Sequence, residues 1–177
     1  GNKRRHDSPD VYVVRGVPNY ERPNFLIWEE GKAPEIVIEI TSETTAQKDR
    51  TKKLEIYRDR IGVKEYFLFD PREDYLEPSL QGYRLLDGEY LPIRPVDGRM
   101  PSEVLGLHLE RDGEHLRLWD PVTAKWIPTD LERADSAEER AETAEARAEA
   151  ERSRAEAAEL EVERLRQLLA QRRGDTM

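Results

Sequence analysis

Residues 34–71 read PEIVIEITSETTAQKDRTKKLEIYRDRIGVKEYFLFDP. Two short apolar runs, Ile36 to Ile40 and Glu65 to Phe69, frame a charged segment that opens on Thr and Ser residues. Runs of that length, rich in β-branched and aromatic residues and bounded by Pro or polar turns, are strands. Strand, helix, strand with short connections is a βαβ unit, which predicts parallel pairing and a right-handed crossover. The apolar residues of 36–40 point both ways, which predicts a central strand covered on both faces. Side chains alternate along a strand, so Glu35, Val37 and Glu39 share one side. A charge inside an apolar strand is costly unless it is paired or binds a metal, so these glutamates are the first candidates for chemistry.

The segment TSETT supplies helix N-cap candidates in Ser42, Thr44 and Thr45. The helix is expected to run to about Arg60, with Leu54, Tyr57 and Ile61 as its apolar stripe. Each residue advances about 100° around a helix, which puts Lys53 roughly 75° from the stripe centre and Lys52 roughly opposite it. Lys53 is therefore the lysine placed to reach inward, with Asp49 on the same flank one turn earlier.

The 177 residues divide by composition: every Trp, Tyr, Phe and Pro lies in residues 1–128, and the remainder is mostly Ala, Glu, Arg and Leu. The first part can build a core and the second cannot. A net charge of −9 argues against a broad basic nucleic-acid surface while leaving room for a local basic cleft. There is no cysteine, hence no disulfide framework and no thiolate metal site, which fits a reducing, cytoplasmic setting. No run of 18 apolar residues predicts a membrane span, and no signal peptide is visible. The chain opens GNKRRHDSP without an initiator Met and is read as a fragment or trimmed form; residues 1–8 read as a solvated tail, with Lys3, Arg4 and Arg5 also suited to phosphate contact.

Working outward, VYVV (11–14) reads as a short strand, ended at Gly16 and Pro18. Residues 19–33 read as a loop whose Phe25, Leu26 and Trp28 fold back onto the core. GYRLL (82–86) and EYLPI (89–93) form a hairpin about Asp87-Gly88, and Val104 to Leu109 with His115 to Trp119 form another. Trp126 is expected over the sheet edge. From Asp130 onward, Ala134, Ala141, Ala148, Ala155, Val162 and Leu169 recur every seven residues, with Ala137, Ala144, Glu151, Ala158 and Leu165 three later. Ten of these eleven positions are apolar, a coiled-coil pattern in which Val162, Leu165, Leu168 and Leu169 carry most of the burial. An isolated solvated helix is the alternative, and neither register nor strand number is legible from the repeat.

The candidate constellation is Asp10, Glu35, Glu39 and Lys53. Carboxylates converging at strand ends can hold a hard ion such as Mg²⁺ with water completing its shell. Such an ion activates water and offsets charge on a phosphate, and a nearby lysine orients that water or stabilises developing negative charge. The alternative is a structural ion pair between a glutamate and Lys48 or Lys53. His6, His108 and His115 lack ligand spacing, and no Gly-rich phosphate loop, nucleophile elbow or zinc signature is present.

The ordered set Pro34, Glu35, Glu39, Asp49, Lys53, Tyr57, Gly62, Val63, Glu65, Tyr66, Leu68, Asp70 and Pro71 resembles the Uma-two family of restriction-endonuclease-like proteins, within the PD-(D/E)xK nuclease superfamily. SPDVYVV resembles the family's earlier acidic strand, with Asp10 as its acid, and the resemblance spans about residues 8–120. It implies an α/β fold, a restriction-endonuclease-like mixed sheet with a flanking helix and C-terminal hairpins, followed here by the long helix. It further implies a DNA endonuclease using Mg²⁺ or Mn²⁺, with Asp10, Glu39 and Lys53 catalytic and Asp10, Glu39 and Glu35 at the metal. Thr41 stands two residues after Glu39, where the superfamily has its lysine, so Lys53 supplies the amine from the helix. The family shows Pro-Asp where this chain has Pro34-Glu35, and the helix and strand that precede SPD in the family are absent from this sequence. The expected domains are 1–128, nuclease-like and lacking its N-terminal part, and 129–173, an Ala/Glu/Arg-rich coiled coil that makes a homo-oligomer. The competing reading is a non-catalytic module that binds DNA or protein and is multimerised by that coil.

Overall fold

The computed structural model describes residues 8–18, 20, 23–42 and 49–174. The chain divides into two units, residues 1–127 and 128–177.

Among the described residues, the first unit holds two sheets. One has five strands in the order β1 (Val11–Val13), β2 (Ile36–Ile40), β3 (Glu65–Phe69), β4 (Leu80–Leu86) and β5 (Glu89–Pro92). β2 and β3 run parallel, Ile36 opposite Glu65 and Ile40 opposite Phe69, while β1 joins β2 antiparallel with Val11 opposite Ile38. The other sheet is antiparallel throughout: β6 (Met100–Ser102), β7 (Leu107–Asp112), β8 (His115–Asp120) and β9 (Lys125–Trp126).

The sheet faces explain why β2 and β3 read as continuous apolar runs. Val37, Tyr66 and Leu68 pack on one side with Tyr57 and Val63, which come from and just after the helical segment 49–61. Ile36, Ile38 and Phe67 pack on the other side with Met100 and Leu109 of the second sheet. The sheet is thus the middle layer between a helix and a second sheet, and all of β3 and all of β2 but Ile40 are buried. Gly82 of β4 lies opposite Phe67; a Cβ there would sit 2.9 Å from two carbons of the Phe67 ring.

A short helix, α1 (Ile27–Glu30), precedes β2 and is closed by Gly31 in the left-handed conformation. The expectation that the aromatics of 19–33 fold back onto the core holds in part. Phe25 packs on Tyr12 at 5.6 Å, whereas Trp28 of α1 remains 61% exposed.

The second helix, α2, covers residues 49–61 and is wound mostly as π-helix, in Asp49–Lys53 and Ile56–Ile61. The expected caps Thr44 and Thr45 lie outside the described residues, as does Lys48. Gly62, at φ 74°, ends α2 by donating its N–H to the Tyr57 carbonyl at 2.9 Å. Lys53 is buried and Lys52 exposed.

The β4–β5 hairpin turns at Asp87 and Gly88, both at positive φ, as a two-residue loop matched to strand twist requires. The following hairpin is β7 with β8, so its first strand begins at Leu107 rather than Val104. Val104 stays with the core as a partly buried turn residue, and β6 is an additional strand. Trp126 is itself part of edge strand β9, edge-on to Trp119 at 5.1 Å.

In the second unit, α3 (Asp130–Gly174) is one continuous helix. It opens with a reciprocal cap: the Thr129 hydroxyl accepts from the Glu132 N–H at 3.2 Å, and the Glu132 carboxylate accepts from the Thr129 N–H at 2.8 Å. No helix of the described residues is long and apolar enough to cross a membrane.

Candidate active site at the end of β2

Glu39 is the penultimate residue of β2 and is completely buried. It shares the face of Val37, so it points at α2. Lys53 and Tyr57, one turn apart on α2, both reach it. The Lys53 ammonium donates to Oε2 and the Tyr57 hydroxyl to Oε1, each at 2.7 Å. Burial, the largest influence, pushes the Glu39 carboxyl above its ordinary value; the bonds from Lys53 and Tyr57 and the Lys53 charge pull it back, and the Asp10 charge adds to the rise.

Asp10 reaches the same place from β1. Extending the register that sets Val11 opposite Ile38 puts Asp10 opposite Glu39. Residues so opposed on an antiparallel pair share a face. The Asp10 carboxylate accepts from the Ile40 N–H at 2.8 Å, which fixes it at the mouth of β2. The structure therefore brings together Asp10, Glu39 and Lys53, two acids and an amine drawn from two strands and a helix.

Glu35 belongs elsewhere. It precedes β2 by one residue, and four residues at about 3.3 Å each separate it from Glu39 by roughly 13 Å. Arg15 holds its carboxylate at 2.5 Å and Lys64 at 2.5 Å. The bonds from Arg15 and then Lys64 draw the Glu35 carboxyl down to about 2. The alternation argument put both glutamates on one side of the strand but took no account of its length, which sets them at opposite ends. Among the described residues no group of three His, Cys, Asp or Glu could hold an ion, so a three-carboxylate centre does not form.

The Asp10–Glu39 pair does fit a hard cation as donor chemistry. Two like-charged carboxylates face each other beside the Thr41 hydroxyl, whose oxygen is buried with no hydrogen-bond partner among the described residues. Mg²⁺ commonly takes one or two carboxylates and keeps its waters. The pair could serve as that ligand set.

On the same sheet face as Asp10 and Glu39 lies a cleft of about 660 Å³, bounded by Tyr12, Phe25, Trp28, Ile56, Tyr57 and Arg60 among others. Tyr57 belongs to both cleft and acid cluster. Its hydroxyl is the contact with Glu39 that reasoning from the apolar stripe overlooked; the available signal was a tyrosine four residues after Lys53, hence on the same helix face.

Two further buried acids of the sequence pattern have structural work. Glu65 accepts from Arg84 at 3.0 and 3.1 Å, from the Ser102 hydroxyl and from the Glu103 N–H at 2.9 Å, tying β3 to the second sheet. Asp70 accepts from the backbone N–H groups of Arg72, Tyr75 and Leu76 and so shapes the loop after β3. Burial pushes its carboxyl up, but those backbone bonds together outweigh it and leave it below its ordinary value.

The sequence matches the model of the Uma2 (Uma-two) family, described as a putative restriction endonuclease, over residues 2–114. The chain belongs to this family. The two-sheet α/β unit is a restriction-endonuclease-like fold, followed by a long C-terminal helix that the match does not cover. No curated protein matches the sequence.

Proposed function

We propose that the protein is a metal-dependent endonuclease that hydrolyses DNA phosphodiester bonds at the β2 mouth. The observation that carries this reading is the convergence of Asp10, Glu39 and Lys53 on one sheet face beside an aromatic cleft. Asp10 and Glu39 would hold Mg²⁺ or Mn²⁺, which when bound supplies an activated water and positive charge at the phosphate. Lys53 acts from α2 in place of the lysine that Thr41 displaces: its ammonium stabilises negative charge developing on the phosphate. Tyr57 holds the Glu39 carboxylate in one orientation and favours its ionised form. The aromatic faces of Tyr12 and Trp28 offer stacking surfaces for an unpaired base, with Arg60 at the rim for a backbone phosphate. We place the reaction in the cytoplasm, in keeping with a cysteine-free chain, and take the α3 helix to join copies of the protein.

A second reading is supported by the saturation of Glu39: with both oxygens engaged by Lys53 and Tyr57, the cluster could be a structural ion pair in a DNA- or protein-binding module. Cleavage of supercoiled and single-stranded DNA by the purified protein with Mg²⁺ or Mn²⁺ separates the two. The nuclease reading expects Asp10→Asn, Glu39→Gln and Lys53→Met each to lose about a hundredfold or more in rate with circular dichroism unchanged. A wild-type protein inert with both metals, or variants that cleave as fast as wild type, would overturn it.

A further inference from the structure

The helix α3 presents its apolar seam to solvent along its whole described length, with Leu165 49% and Val162 48% exposed. At about 1.5 Å per residue its 45 residues extend roughly 67 Å. We propose that this seam is covered by the same helix of a second copy, parallel and in register, around a polar layer at Glu151. The inference deepens the association advanced above and rests on it.

The charges flanking the seam choose the partner and its direction. In a parallel pair, the residue just before each Ala134-type position meets, on the other chain, the residue five further on, and such pairs set orientation. Here those pairs are Arg133 with Glu138, Arg140 with Glu145, Arg154 with Glu159, and Glu161 with Arg166, every one of opposite sign. An antiparallel pair sets each flanking column against itself, and one column reads Arg133, Arg140, Arg147, Arg154 before its first glutamate. Self-complementarity in parallel register identifies a second copy of this chain as the occupant.

The remaining pair, Arg147 with Arg152, is of like charge, and it falls at the layer where the seam carries its one acid, Glu151. Arg147 stands four residues before Glu151 on the same helix, and Arg152 of the other copy borders the hole into which Glu151 inserts. Each glutamate in the layer thus meets two arginines. A buried polar layer of this kind pins register, because any slip sets Glu151 against alanine.

The chain has no cysteine, so one introduced thiol is unique. Ala144→Cys and Ala158→Cys are made separately in the full chain and oxidised gently. The expected result is that each links to itself as a covalent dimer, since only in-register parallel seams bring like positions within disulfide reach. Sedimentation of wild type is expected to give two chains. The pair Arg140→Glu/Arg154→Glu is expected to weaken self-association on the order of tenfold, with recovery on mixing with Glu145→Arg/Glu159→Arg. A two-chain species in which neither cysteine variant links to itself would leave association standing and overturn the orientation. A monomer would overturn both, and three or more chains would overturn the pairing scheme.

Discussion

Replacing Tyr57 with Phe removes one oxygen from the cluster and leaves the ring, whose contact with Tyr66 at 5.3 Å is retained. What is lost is the 2.7 Å bond to Glu39 Oε1. A hydrogen bond to a charged group contributes about 1.5–3 kcal/mol, against roughly 0.5–1.5 for a neutral pair. Because this bond favours the ionised carboxylate, its removal raises the Glu39 value further. Burial already raises the Glu39 carboxyl above its ordinary value in the folded protein, so the bond from Tyr57 counts most where that carboxyl is charged. The sign follows: a raised folded value means the folded state holds its proton more tightly, so stability from that proton is present at low pH and lost as pH rises through the folded value. Tyr57→Phe should therefore cost about 1.5–3 kcal/mol at pH 7.5 and less at pH 4.5, read from urea denaturation followed by circular dichroism. Other titrating groups are common to both proteins and cancel in the difference. A penalty equal at the two pH values, or none at either, would refute the account of Glu39 as a buried carboxylate held in its charged form by Tyr57.

Two further outcomes test the frame around the site. Gly82→Ala should destabilise by about 1–3 kcal/mol in urea denaturation, since its Cβ would press on the Phe67 ring at 2.9 Å and on Met100 at 3.1 Å with both side chains in the packed middle of the fold. Glu35→Gln should flatten the dependence of stability on pH on the acid side: the depressed carboxyl stabilises the fold above 4.5, and that contribution is lost as pH falls toward about 2. The same variant should cleave DNA at the wild-type rate at neutral pH, measured on supercoiled plasmid, because Glu35 stands at the far end of β2.

The strands of the first sheet were legible because their residues obey local rules. Ile36 to Ile40 and Glu65 to Phe69 are short, apolar and bounded by turns, and the parallel pairing follows from the helix between them. The hairpin at Asp87-Gly88 announces itself by turn chemistry. β6 was not legible, since Met100–Ser102 is three residues with a proline in the middle and owes its conformation to pairing with β7. The π-helical winding of α2 escaped as well: a wheel drawn at 100° per residue assumes the turn whose width is in question. At the site, burial separated Lys53 from Lys52 correctly on the wheel, while the fate of Glu35 depended on Arg15 and Lys64, which come from outside the strand and carry no periodic signal.

Among the described residues of the first unit, the three fully buried acids show how chemistry can be told from scaffolding. Glu65 is met by four donors across two sheets, and Asp70 by three backbone N–H groups; each is spent on holding its surroundings. Glu39 differs in what remains around it. Its carboxyl is pushed up where that of Asp70 is drawn down, a second acid faces it from β1, and the Thr41 hydroxyl beside it is buried without a partner among the described residues. Unsatisfied buried groups are rare in a folded chain. A pair of well-packed hydrophobic residues would serve stability at that point at least as well as Glu39 with Lys53. The Nε of Arg111 on β7 is another buried polar atom without a partner among the described residues; what sets the end of β2 apart is that its unpartnered hydroxyl accompanies two acids facing each other, which is the physical reason to seek the reaction there.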